Sequence, residues 1–200
     1  MRDAVKALAR GAATIVVLPA LASYAIRKSI RGADAAMEAS SQALSIVPGR
    51  LGDYVRRAFY TRTLQRCATS ATIQFGTLLS QAGVEIGEHV YVGPCCQLGL
   101  VTIEKDVLLA AGVHVPSGAM THGIGDVTQP IREQEGARVR IRIGEGTWVG
   151  SAAIILADVG KHCVIGAGAV VTSPIPDYAI AAGVPAKVIR DRRDATARRA

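Results

Sequence analysis

Large rings are scarce in this chain. Phenylalanine, tyrosine and tryptophan make up 4% of its 200 residues, although half of all residues are hydrophobic. That excludes a thick core built on aromatic packing and suits a narrow interior filled by Val, Ile and Ala. Cysteine is sparse too. Cys67, Cys95, Cys96 and Cys163 form no C-x-x-C pair and no disulfide framework, so all four are read as reduced and structural, as in a cytosolic protein. A spanning helix needs about 20 apolar residues, and the longest apolar run, Ala12 to Ile26, has about 15 and contains Pro19. Basic residues flank it on both sides (Arg2, Lys6 and Arg10 before, Arg27, Lys28 and Arg31 after), which fits a cleavable signal peptide poorly. A helix lying in a membrane interface and a helix packed on the rest of the protein both remain open. Acidic excess is lacking as well: the net charge is +7. Lys and Arg cluster at the two ends, so no basic stripe for nucleic acid is indicated. A polyanionic cofactor or an acidic membrane surface fits better.

What the chain does have is a period of six. Between Ile143 and Val171 an aliphatic residue recurs at Ile143, Val149 and Ile155, then at Val159, Ile165 and Val171. Gly144, Gly150, Gly160 and Gly166 each follow one of them, and Thr147, Ala153, Cys163 and Ala169 stand four positions after. Helices repeat at 3.6 and strands at 2, so a sustained six is neither. It marks a parallel β-helix, with one short strand and one corner per hexad. The aliphatic points inward, and the glycine is expected to let the backbone turn without a Cβ clash.

The length allows one domain plus an appendage. Residues 1–66 lack the hexad. After Pro48-Gly49, the residues Leu51, Tyr54, Val55, Ala58 and Phe59 predict one face of a short helix, with Arg56, Arg57 and Arg62 largely off it. The solenoid is placed at 67–178. Cys67, Ile73 and Leu79, then Ile86, Val92 and Leu98, then Ile103, Leu109 and Val115 give three more coils, making about five. The polar stretch 121–142, carrying Gly123, Gly125, Pro130 and Gly136, reads as an extruded loop, and long loops in compact domains are usually functional. Pro174 and Pro176 are expected to end the coils. The segment 179–200 closes on a basic, solvated tail.

Five stretches occur in order: SGAMTHG, PIREQ, IGEGTWVGSAAII, VIGAGAVVT and AAGVPAKVIR. Together they resemble the hexapeptide-repeat acyltransferases, most closely the galactoside and xenobiotic O-acetyltransferase branch, over roughly Ile73 to Arg190. The resemblance implies a mainly β fold, a left-handed parallel β-helix with an N-terminal helical segment. It implies a homotrimer with its active site between subunits, acetyl-CoA as acyl donor, and a sugar or polysaccharide-precursor hydroxyl, free or lipid-linked, as acceptor. His122 matches the family's catalytic histidine. It stands where the solenoid gives way to the loop, and imidazole titrates near neutrality, as a general base must. Trp148 matches a cleft-wall tryptophan. Ser151, Ala167 and Thr172 match positions that contact coenzyme A, and Lys187 and Arg190 match basic residues facing its phosphates. His114 is a candidate for the acceptor pocket, and so is Asp126, with Arg132 and Gln134 beside it in the loop. His89 and His162 read as surface. The chain departs from the family at Leu156-Ala157-Asp158, two residues short, and at Ser173, where relatives often carry lysine.

Two other readings stay open. One is a non-catalytic trimeric β-helix scaffold. The other is a metal-dependent hydratase of the carbonic-anhydrase type. That site uses two histidines four apart, whereas His114 and His122 are eight apart, so no metal is assigned. A cytoplasmic location is expected, at the inner face of the cell membrane if residues 12–26 contact lipid.

Overall fold

The computed structural model describes residues 11–197. Arg2, Lys6, Arg10 and the last three residues lie outside them. Every hexad aliphatic from Ile73 to Val171 points inward and is buried, which is what makes the sequence period visible. Cys67 is half-buried.

The coils build three parallel sheets. The first holds β1 (Arg66–Cys67), β4 (Glu85–Ile86), β7 (Val101–Ile103) and β10 (Ile141–Ile143). The second holds β2 (Thr72–Ile73), β5 (Tyr91–Val92), β8 (Leu108–Leu109), β11 (Trp148–Val149), β13 (Val164–Ile165) and β15 (Ala179–Ala182). The third holds β3 (Leu78–Leu79), β6 (Gln97–Leu98), β9 (His114–Val115), β12 (Ile154–Ile155) and β14 (Val170–Val171). The result is a left-handed β-helix.

It has about six turns. Ile175 bridges to Val159 and β15 pairs in parallel with β13, so a sixth, short coil follows the five expected. Pro174 and Pro176 do not stop it, because they flank Ile175, and that residue makes the bridge to Val159. The Ile175 carbonyl still accepts from Gly160 N at 2.8 Å. The chain then reverses: β16 (Lys187–Asp191) runs antiparallel to β15, and a 3-10 turn spans Arg192–Ala197.

The hexad glycines serve a different purpose from the one expected. None of Gly144, Gly150, Gly160 and Gly166 has a positive φ. A Cβ on Gly144 would lie 2.6 Å from the Gly160 carbonyl carbon, and one on Gly150 would lie 2.5 Å from Ala167 N. They are glycine because the next coil passes too close for a side chain. The left-handed corner falls elsewhere and is often taken by other residues, such as His89, Asp106, Ala152 and His162. His162 is more than surface: its ring stacks on Tyr178, with centroids 5.2 Å apart.

Three helices precede the first coil: α1 (Leu18–Arg31) packs on α2 (Ala33–Ser45) and α3 (Gly49–Thr63), and these two sit against the coil. Residues 11–16 are helical too, and the stretch Gly11–Arg31 is long and apolar enough, by length and composition, to cross a membrane. It outlasts the apolar run because the helix continues through Arg27, Lys28 and Arg31. Gly32, at φ +85°, lets the chain turn into α2.

The helices do for the first coil what another coil would do. An unpaired strand edge is a liability. The Ser41 hydroxyl donates to Leu79 O at 3.0 Å and accepts from Leu79 N at 3.1 Å, and Gly76 N donates to Ser45 O at 2.9 Å. Ala82 N donates to Asp34 Oδ1 at 2.9 Å. Arg56, expected off the buried face of α3, is fully buried. Its guanidinium donates to the carbonyls of Ile73 (2.8 Å), Leu44 (3.2 Å) and Val47 (2.7 Å) and to Asp53 (2.9 Å). That gives a buried charge the partners it requires. Leu51, expected on the buried face, is exposed.

Candidate active site

The loop leaves the solenoid after β9 and returns at β10. Its two arms are laced together: Val139 N donates to Ser117 O at 2.8 Å, and Ala137 N to Met120 O at 2.7 Å. His122 stands exposed where this lacing ends. Gly136 lies directly across. A Cβ there would come within 2.3 Å of Thr121 C and O and 2.5 Å of His122 N, so only glycine allows the arms to close. Farther out, Gln134 ties the tip, donating to Asp126 O at 2.7 Å and Gln129 O at 3.0 Å.

At the foot of the arms is a cleft of about 560 Å³. His114 on β9 and Gln97 on β6 floor it, Thr121 and Arg138 come from the two arms, and Asp34 and Glu38 come from α2. His114 is half-buried, with Gln97 and Ile154 as its strand neighbours. The cleft therefore joins a solenoid imidazole, an arm whose next residue is His122, and a wall carrying charges of both signs. Sequence alone does not point to Asp34, Glu38 or Arg138, and it offers Gly136 only as one of the loop glycines.

Asp126 is elsewhere. Its carboxylate at the loop tip accepts from Thr128 Oγ1 at 2.6 Å and Thr128 N at 2.8 Å, and these bonds hold it below the usual carboxylate range. It closes a local turn and does not line the cleft.

The residues matched to coenzyme A fall into three places. Ser151 and Ala167 share one corner in successive coils, where Gly168 N donates to Ser151 O at 2.8 Å. Trp148 is on the second sheet, between Leu108 and Val164, and is exposed. Lys187 and Arg190 extend that sheet from β16, opposite Ala182 and Ile180, and are also exposed. Thr172 is apart, just beyond β14 on the third sheet. A single chain thus presents two walls and not one closed pocket for a long cofactor.

The first sheet has a different character. Glu104 is paired with Arg142 and accepts from Glu145 N at 3.0 Å. Burial pushes its carboxyl up, but these bonds outweigh burial and hold it low. Burial raises the thiols of Cys67 to about 12 and Cys96 to about 11, so neither offers a thiolate nucleophile. Among the described residues, no three His, Cys, Asp or Glu side chains gather as a metal site.

Residues 140–173 match the family described as hexapeptide repeat of succinyl-transferase. The solenoid is built from hexapeptide repeats. The galactoside O-acetyltransferase of Lactococcus lactis is 33% identical over 122 residues, covering 59% of this chain and 48% of that protein. The first curated relatives are spanned over only 19% to 48% of their own lengths. Among solved structures, a maltose O-acetyltransferase from Clostridium difficile superposes with a TM-score of 0.67 at 20% identity, covering 79% of this chain and 87% of that one. A galactoside acetyltransferase in complex with coenzyme A gives 0.62 at 24% identity, covering 81% and 84%. At these identities the structures establish the fold. The chain is thus similar in sequence to galactoside O-acetyltransferases and shares its fold with galactoside and maltose acetyltransferases.

Proposed function

We propose that this chain is an acetyl-CoA-dependent O-acetyltransferase acting on a sugar hydroxyl. The observation that carries the reading is the cleft between His114 and the laced arm that ends at His122, in a hexapeptide-repeat solenoid. The His122 imidazole takes the acceptor hydroxyl's proton as that oxygen attacks the thioester carbon. The C–S bond breaks, the acetyl group stays on the acceptor oxygen, and the departing thiolate receives the proton back. His114, Asp34, Glu38 and Arg138 orient the acceptor through its hydroxyl groups, so the reacting oxygen is held in place. Ser151 and Ala167 line the wall for the pantetheine arm. Lys187 and Arg190 take the phosphates, and Trp148 and Thr172 complete the cofactor site.

The two walls meet only if a second copy supplies one of them. Tyr91, Leu108 and Trp148 form an exposed apolar stripe down the second sheet, which supports burial between subunits in a homotrimer. Light scattering should give three chains per particle, and a stable monomer at micromolar concentration would contradict the shared site.

The deciding experiment is single-turnover acetyl transfer to a panel of sugar acceptors with enzyme in excess. His122→Ala should slow the chemical step by roughly 10²–10⁴ while leaving acetyl-CoA affinity nearly unchanged. His122→Asn can bond a hydroxyl but not remove its proton, so it should be almost as slow. Retention of more than about a tenth of the wild-type rate by His122→Ala would overturn the assignment. No transfer by the wild type to any acceptor would favour a non-catalytic scaffold.

A further inference from the structure

The helical stretch Gly11–Arg31 has two unlike sides. Ala13, Val17 and Tyr24 are buried, and Tyr24 meets Phe59 edge-on, with ring centroids 5.6 Å apart. Thr14 accepts from Arg62 Nη2 at 3.3 Å. One side is therefore fastened to α2 and α3. The other carries Ile15, Leu18, Ala22, Ile26 and Ile30, at the three- and four-residue spacings of one helix face, and all are exposed. Four of these are large aliphatics, contiguous along the helix and without a partner among the described residues. Scattered exposed apolar residues are ordinary; a continuous row marks a contact surface.

Charge indicates what makes that contact. Residues 1–66 hold eleven Lys and Arg against four Asp and Glu, whereas residues 67–200 hold twelve of each. The net charge of +7 thus equals the excess of the N-terminal segment, although residues 187–200 also hold six bases against two acids, balanced by acids elsewhere in the solenoid and loop. The stretch 11–31 contains no acid, and Arg27, Lys28 and Arg31 crowd its last turn. An apolar face backed by unmatched positive charge complements a bilayer with anionic headgroups. A second copy of this chain would bring like charge against like charge.

We infer that the exposed face of residues 15–30 docks this protein onto anionic membranes, with the helix lying in the plane of the interface. Spanning is ruled out while the fold is intact, because a helix that buries Val17 and Tyr24 against its own domain cannot also surround itself with lipid. The inference is independent of acyl transfer.

Flotation of the full chain with vesicles tests it. The protein should float with vesicles of phosphatidylcholine and phosphatidylglycerol, float less with phosphatidylcholine alone, and be released by alkaline carbonate. Leu18→Glu/Ile26→Glu alters only exposed positions, so it should keep the wild-type melting temperature and acetyl-transfer rate on a soluble acceptor. It should lower the bound fraction by at least about tenfold. Arg27→Glu/Lys28→Glu should weaken binding to the anionic vesicles only. A wild-type chain left unbound with anionic vesicles would overturn the inference, as would equal flotation of Leu18→Glu/Ile26→Glu. Resistance to carbonate would overturn the in-plane geometry. A double variant that lowers particle mass without lipid and leaves flotation unchanged would assign the face to a second copy instead. Because flotation and transfer are read separately, loss of one leaves the other standing.

Discussion

Gly136→Ala is the most informative single change at the candidate site. Gly136 does not have a positive φ, so alanine meets no conformational barrier there and the effect is purely one of space. The new Cβ would lie 2.3 Å from Thr121 C and O and 2.5 Å from His122 N. Ordinary contact begins at 3.4 Å, and all three neighbours are backbone, so the arms must part by about 1 Å. Parting by that much takes Ala137 N–Met120 O from 2.7 Å, and Val139 N–Ser117 O from 2.8 Å, beyond hydrogen-bond range. Two such bonds are worth about 1–3 kcal/mol, lost locally because neither belongs to the solenoid core. The melting temperature should therefore fall by only several degrees, at about 2–4 °C per kcal/mol. Turnover should fall by about 10²-fold, because His122 is displaced by an amount that matters for proton transfer. Gly125→Ala is the control: nothing lies within 4 Å of its Cβ position, and it should be silent. The assay is single-turnover thiol release, with hydrogen exchange at Ala137 as a readout of the lacing. A Gly136→Ala protein within about threefold of the wild-type rate, its Ala137 amide still protected, would refute the reasoning, since the lost rate is expected to approach 10².

Two further outcomes concern the frame. Arg56→Ala takes the guanidinium donor from the carbonyls of Ile73 and Val47 and leaves Asp53 without its partner, and should destabilise the protein by about 3–5 kcal/mol in urea unfolding. A loss below about 1 kcal/mol would mean that water replaces the guanidinium and the helical cap is looser than described. Ile165→Ala empties one inward position of a close-packed solenoid and should cost about 2–5 kcal/mol by the same measurement. A smaller cost would show that neighbouring coils collapse into the gap.

The interior of the solenoid is legible because a coil has one inside, filled by the hexad aliphatic and by a second residue two positions before it, such as Ala153, Cys163 and Ala169. The first of these is aliphatic in nearly every hexad, so a period survives in the sequence. Other features leave no period. The glycines of the hexad were noticed, but their cause lies between coils some sixteen residues apart, where Gly144 meets Gly160 and Gly150 meets Ala167. Arg56 was read as surface because guanidinium groups usually are. Its burial depends on three carbonyls that converge only when α2, α3 and the first coil have docked. The cleft is half legible. Of its lining His114 stands out by residue type, and His122 follows the lining residue Thr121, whereas Asp34 and Glu38 reach the site from a helix some eighty residues earlier. Asp126 lies away from the cleft, and Thr128 two positions on bonds its carboxylate. A sixth coil is hidden in the sequence because proline usually marks a stop, although here Pro174 and Pro176 flank Ile175 and leave its bonds intact.

The reversal at β16 has a consequence for growth of the particle. A stack of parallel coils is a template at both ends, and nothing in the repeat itself limits its length. Head-to-tail addition of identical chains would continue all three sheets without a break and give a fibre. Here the leading rung is occupied by helix side chains such as Ser41 and Arg56, which have no repeat of their own. At the trailing end the second sheet finishes in a strand of opposite direction, which a parallel rung cannot extend in register. The direction of one short strand thus helps separate a discrete molecule from a filament.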